Sequence, residues 1–190
     1  DATGLDASCI VCWNGEGADT VIAGFTLTGG SGTQNPDYDA LHGGGFFAWN
    51  ASPTIVNCTI TGNTAEFGGG MLVQESDSFI HNILFENNTA SHDQGGGGGL
   101  YCFLDCNTTI TECRFVGNSS NSGGGLKVKL DSNALVRNCR FTNNTSGAVA
   151  GAFAIISSSP TVERCLFENN AAATYGGGIS SSTGTPVLQN

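Results

Sequence analysis

The stretch Ser52–Val73, SPTIVNCTITGNTAEFGGGMLV, recurs with variations to the last residue. Aligned on Cys58, the copies place Phe25, Cys58, Ile83, Cys113, Cys139 and Cys165 at one anchor position, with steps of 33, 25, 30, 26 and 26 residues. A period of that length marks a repeat architecture. Three residues before the anchor stand Ile22, Ile55, Ile80, Ile110, Val136 and Val162; two after it stand Leu27, Ile60, Phe85, Phe115, Phe141 and Phe167. Apolar residues at the anchor and two later, with polar ones such as Thr59, Arg114 and Arg140 between, follow the period of a strand with one face inward. Four after the anchor only Gly or Asn occurs (Gly29, Gly62, Asn87, Gly117, Asn143, Asn169). These residues enter left-handed backbone most readily, so each strand should end in a fixed bend. The next position holds Gly30, then Asn63, Asn88, Asn118, Asn144 and Asn170. Asn in register through stacked turns satisfies buried backbone groups as well as the Asn above it.

A glycine run follows in each copy (Gly43–Gly45, Gly68–Gly70, Gly95–Gly99, Gly123–Gly125, Gly176–Gly178), replaced by Ala150-Gly151-Ala152 in one. Then comes a third strand, with inward Phe46, Met71, Leu100, Leu126, Phe153 and Ile179. Three short strands and three bends in about 25 residues make one coil, and stacking coils at about 4.8 Å buries a column that no coil closes alone. The expected fold is all-β: a right-handed, single-stranded parallel β-helix of about six coils. Residues 21–190 form the coils, with insertions at 31–42 and 91–97, and residues 1–20 a partial coil or cap. Asp1 opens and Asn190 closes the sequence in mid-coil, which reads as a mature fragment or an internal piece of something longer.

These motifs resemble the repeat of the chlamydial polymorphic membrane proteins, Phe-x-x-Asn followed by Gly-Gly-(Ala/Gly/Leu/Ile). The matching stretches are FENN (85–88), FVGN (115–118), FTNN (141–144) and FENN (167–170). The resemblance spans residues 21–190 and implies a surface adhesin or an envelope or matrix protein, extracellular or at the cell surface. Its expected partners are other protein subunits or surface glycans. Autotransporter members end in a membrane barrel; none occurs in this segment, so no membrane insertion is expected of it.

Composition agrees with a polar-faced rod: charged residues are 12% and Gly is 29 of 190, against usual shares of roughly 25% and 7%. A net charge of −10 with six basic residues argues against nucleic acid or an anionic membrane as partner. No apolar run reaches membrane-spanning length, and the start is not signal-like.

Of eight cysteines, Cys58, Cys113, Cys139 and Cys165 hold the anchor and should form a buried ladder. Cys9–Cys12 and Cys102–Cys106 lack a second metal-ligand pair and are expected to be disulfides, which implies an oxidising compartment. Seven N-x-Ser/Thr sequons occur. Asn118 and Asn144 should be sealed in the ladder, whereas Asn50, Asn87, Asn107 and Asn143 lie in turns open to glycosylation.

The outward residues of the third strand are Phe47 and Trp49, Leu72 and Gln74, Tyr101 and Phe103, then Lys127 and Lys129. Outward positions on a rod should be polar. An aromatic and aliphatic row is either an exposed contact surface or a satellite core under the two insertions. An open row would stack on sugars or pack on another subunit. Glu75, Asp105 and Asp131 stack at the corner after this strand and offer oxygen ligands for Ca2+, but they are solvated and a rung apart; no other cofactor is expected. Glycosidase or lyase chemistry needs carboxylates, or a base and a cation, converging on a groove. Glu86 and Glu168, and Glu112 and Glu163, lie on separated coils, and Arg114 and Arg140 beside them suggest a solvated ion-pair strip. The expected function is a non-catalytic structural or adhesive module. The alternatives are a filament subunit joined through its open ends or the aromatic row, and a polysaccharide-degrading or carbohydrate-binding β-helix.

Overall fold

The computed structural model describes all 190 residues. It is all-β, and its strands pair in parallel from coil to coil, except for one antiparallel hairpin in the first insertion. Two seven-stranded sheets and one six-stranded sheet run the length of the rod. The first-strand sheet stacks Val21–Ala23, Thr54–Val56, Phe79–His81 and their successors; the second-strand sheet stacks Thr26–Thr28, Thr59–Thr61 and Leu84–Glu86 onward. The third-strand sheet begins with Ile10–Cys12, contributed by the N-terminal segment, and continues through Phe46–Trp49, Met71–Gln74, Leu100–Phe103, Leu126–Lys129, Phe153–Ile156 and Ile179–Ser182. A fourth, short ladder (Thr64–Ala65, Thr89–Ala90, Ser119–Ser122, Thr145–Val149, Ala171–Ala172) bridges the second and third strands.

The register is the repeat alignment itself, with Ile55, Ile80, Ile110 and Val136 in one row and Ile60, Phe85, Phe115 and Phe141 in another. The core is one continuous column of 30 buried residues. The Phe85, Phe115, Phe141 and Phe167 rings stack nearly parallel, with centroids 4.8, 4.5 and 4.8 Å apart. That separation is the rung spacing of a parallel sheet, so the backbone sets the ring geometry.

Several corners bend through left-handed residues, two of them on either side of the anchor strand. The bend four after the anchor does so at every copy, for example Gly62 (φ 64°) and Asn143 (φ 57°). A second bend falls just before the anchor, at Gly24, Asn57, Asn82, Glu112, Asn138 and Arg164. It splits what the alignment reads as one strand into two. It also lets residues three apart, such as Ile55 and Cys58, both face the core.

The Asn ladder runs from Asn63 to Asn170. Each of Asn63, Asn88, Asn118 and Asn144 donates from Nδ2 to the next Asn Oδ1 at 2.9–3.1 Å and to a main-chain oxygen in the preceding coil. Cys58, Cys113 and Cys139 are buried, and Cys165 is partly so. Phe25, the first anchor residue, departs from its column: it is 55% exposed because no coil lies over this corner.

All eight cysteines are free thiols, which corrects the two expected disulfides. Cys12 packs in the core in register with Ala48, and the Cys9 thiol donates to Thr28 O. Cys102 belongs to the inward row Val73–Cys102–Val128. Cys106 sits in a corner column with Ser132 and Ser158, where it donates to Val73 O and Phe103 O. Burial holds the thiols of Cys12 and Cys106 protonated, with pKa values pushed up to about 11. The compartment argument built on those disulfides falls with them.

Candidate functional site

The insertions converge on the outer face of the third-strand sheet. Two columns run down it: Phe47, Leu72, Tyr101, Lys127, Ala154, and beside it Trp49, Gln74, Phe103, Lys129, Ile156. The first is not an open surface: Phe47, Leu72, Tyr101 and Lys127 are at most 3% exposed, whereas Trp49, Phe103 and Lys129 are partly exposed. The exposed-surface alternative is corrected for those four residues: Phe47, Leu72 and Tyr101 form a small second core that the insertions roof, and Lys127 is buried beside it.

The first roof element is the hairpin of Thr33–Asn35 with Ala40–His42. Its His42 ring lies edge-on against Phe47 and Phe67, with centroids 5.5 and 5.4 Å away, and Tyr38 reaches over to Phe103 at 5.7 Å. Buried Asn35 Nδ2 donates to Gln74 Oε1 on the sheet (3.2 Å) and faces His42 Nδ1 at 3.2 Å. The Leu41 amide donates to Glu66 Oε2, and the Glu66 and Phe67 amides donate back to Leu41 O. The second roof element is the loop at 91–97. His92 stacks on Phe67 at 4.8 Å, and the Lys127 ammonium lies 5.2 Å over the Tyr101 ring and donates to Gln94 O and Gly95 O. Burial, with Lys129 nearby, lowers the Lys127 pKa to about 8. Lys127 therefore pins the loop rather than presenting a charge.

Between the two roof elements lies a half-open pocket of about 190 Å3, lined by Tyr38, His42, Phe67, Leu72, Gln94, Tyr101, Phe103 and Lys129. Tyr38, Asn35, Glu66 and Phe67 escaped the sequence reading. Phe67 alone left a signal there, as an aromatic residue just before a glycine run.

Because Asn35 Nδ2 is a donor, the His42 nitrogen facing it must accept, and the ring is neutral. Burial lowers its pKa from 6.5 to about 4, a shift only partly opposed by Glu66. A folded-state pKa below that of the opened hairpin gives stability that is present above pH 6.5 and is lost as pH falls toward 4, about 3 kcal/mol in all. Hydrogen exchange should show it: between pH 7 and 4.5 the protection of the Leu41 and His42 amides, corrected for intrinsic rates, falls roughly 60-fold. The core strands keep their protection, and His42→Gln removes the pH dependence.

The other candidate residues stay apart. Glu75, Asp105 and Asp131 occupy left-handed corner positions (φ 49–55°), each exposed and with its amide donating to the next coil. Asp tolerates that backbone conformation, which accounts for Asp105 and Asp131 at this corner. No group of three or more His, Cys, Asp or Glu side chains converges. Glu163 and Glu168 pair with Arg137 and Arg140 at the solvated surface. Asn50, Asn87, Asn107 and Asn143 are exposed, while Asn118 and Asn144 are wholly buried.

A family model described as "Right handed beta helix region" matches residues 9–190. Searches of curated proteins and of solved structures find no match. With parallel ladders that coincide with the repeat and a family model covering nearly the whole sequence, the chain belongs to the right-handed β-helix family.

Proposed function

We propose that this chain is a non-catalytic structural and adhesive segment of an extracellular β-helix protein, and that it makes its contact through the insertion-roofed pocket. One observation carries this reading: the two departures from the repeat meet on one face and enclose an open aromatic pocket. Loops grafted on a rigid scaffold are where recognition concentrates. The resemblance of the Phe-x-x-Asn and Gly-Gly motifs to the chlamydial polymorphic membrane proteins supports both the adhesive role and the extracellular setting. The non-catalytic reading rests on the carboxylates, two of which are engaged by arginines while the corner acids serve the backbone.

The test is adhesion of beads coated with the purified chain to immobilised cell-surface glycoprotein. Tyr38→Ala and Phe103→Ala should each lower retention at least about tenfold, from the loss of an aromatic anchor worth about 1.5–3 kcal/mol. Val21→Ala, at an exposed position outside the pocket, should leave retention unchanged. Retention unaffected by both pocket variants would end the contact reading. Turnover of a polysaccharide by the chain would end the non-catalytic one.

A further inference from the structure

We propose that the pocket takes one carboxylate-bearing sugar residue of a glycan, with Lys129 as the partner of its carboxylate; this deepens the adhesive reading above and rests on it. Lys127 and Lys129 are the only lysines in the chain, and both lie on this face of a molecule with net charge −10. Lys127 is spent on the loop, but Lys129 lines the pocket, is partly exposed and belongs to neither ion pair. His42 is neutral, so Lys129 is the one positive charge lining the site. An unpaired ammonium at the rim of an aromatic pocket selects an anion, and in an acidic protein it is the complementary exception.

The other walls point to a sugar. Tyr38, Phe67, Tyr101 and Phe103 supply ring faces whose negative quadrupole attracts polarised C–H groups. Tyr101 is 3% exposed, yet its hydroxyl has no hydrogen-bond partner in the chain; with the Gln94 amide it can serve sugar hydroxyls. A flat aromatic acid would leave those groups unpaired. At about 190 Å3 the pocket is smaller than the 300–1,000 Å3 typical of sites for drug-sized ligands, which suits one ring of a longer glycan.

The experiment titrates the chain with glucuronic acid and with glucose, each as the terminal residue of the same oligosaccharide, and with benzoate. The acidic sugar should bind at least about tenfold more tightly than the neutral one, with an advantage that shrinks as salt rises. Lys129→Gln should abolish that advantage while leaving the neutral sugar's affinity unchanged, and Lys129→Arg should keep most of it. Phe103→Ala should weaken both sugars alike. Because Lys129 is partly exposed, these variants keep the fold, which circular dichroism checks. Equal affinity for the two sugars, indifference to Lys129→Gln, or tighter binding of benzoate would each overturn the ligand assignment. The pocket itself would stand in those cases if Phe103→Ala still abolished adhesion. Absence of any sugar binding, together with adhesion indifferent to Phe103→Ala, would bring down both.

Discussion

Replacing Gly124 with alanine is expected to lift one coil off the next and to destabilise the rod by roughly 4 kcal/mol or more. A Cβ at this residue would fall well inside contact distance of Thr145 O and Gly151 O, both main-chain atoms of the following coil. Neither can rotate away as a side chain would. The coils would have to separate, stretching the adjacent ladder bonds Gly124 N–H to Ala150 O (3.1 Å) and Gly125 N–H to Ala152 O (3.0 Å) beyond useful length. The repeat carries the same constraint in its own variation. Where Ala150-Gly151-Ala152 replaces the glycine run, only the middle glycine survives, and a Cβ on Gly151 would meet Ala171 O at 2.5 Å. Gly125→Ala copies Ala152 of the next coil and should lose only about 1–2 kcal/mol. Thermal melts separate the two, since 4 kcal/mol is about 8–16 °C in a chain of this size. Coils couple mainly to their neighbours, so amide exchange should place the loss at Leu126–Lys129 first. A Gly124→Ala melt no lower than that of Gly125→Ala would show that the coils are not in contact through this glycine.

The inward rows were legible because each is one chemical demand repeated: Ile55, Ile80 and Ile110 answer the same cavity, and Asn63, Asn88 and Asn118 the same buried, otherwise unpaired amides. The bend before the anchor was not, because Glu112 and Arg164 occupy a left-handed position usually marked by Gly or Asn. Phe25 carries the pattern of its column but not the coil that would cover it. The mistaken disulfides came from reading Cys102 and Cys106 by their spacing. Cys106 belongs with Ser132 and Ser158, as the thiol member of a column of small hydrogen-bonding residues. The site was half legible. Strand parity located Phe47, Leu72 and Tyr101 on the outer face, but whether they meet water depends on one hairpin. That hairpin is held by contacts that occur once, Asn35 to Gln74 and Leu41 to Glu66, and a contact made once leaves no period to read.

Asn118→Ala is expected to destabilise the rod by about 3 kcal/mol, several times the loss from the same change at Asn170. The Asn118 side chain makes four hydrogen bonds inside a fully buried column: Oδ1 accepts from Asn88 N and Nδ2, and Nδ2 donates to Phe85 O and Asn144 Oδ1. After truncation, Asn88 Nδ2 still reaches Ile60 O, and Asn144 Oδ1 still accepts from the Asn118 amide. The Asn88 amide is left bare where water does not reach, at about 1–3 kcal/mol, and the Phe85 carbonyl, which the parallel ladder also engages, loses its side-chain donor. Asn170 makes equivalent bonds to Asn144 and Phe141 O but is partly exposed, so water replaces them at about 1 kcal/mol. Asn118→Asp keeps the acceptor and turns the donor into a second carboxylate oxygen facing Phe85 O and Asn144 Oδ1. It should therefore be worse than alanine at pH 7. It should recover on acidification, because burial raises the folded-state pKa of the new carboxyl above the unfolded value and the proton it then holds restores a donor. Equal losses at Asn118 and Asn170 in urea melts, or an Asp variant indifferent to pH, would mean that these residues act only by shaping each turn locally. The column would then have no role in joining one coil to the next.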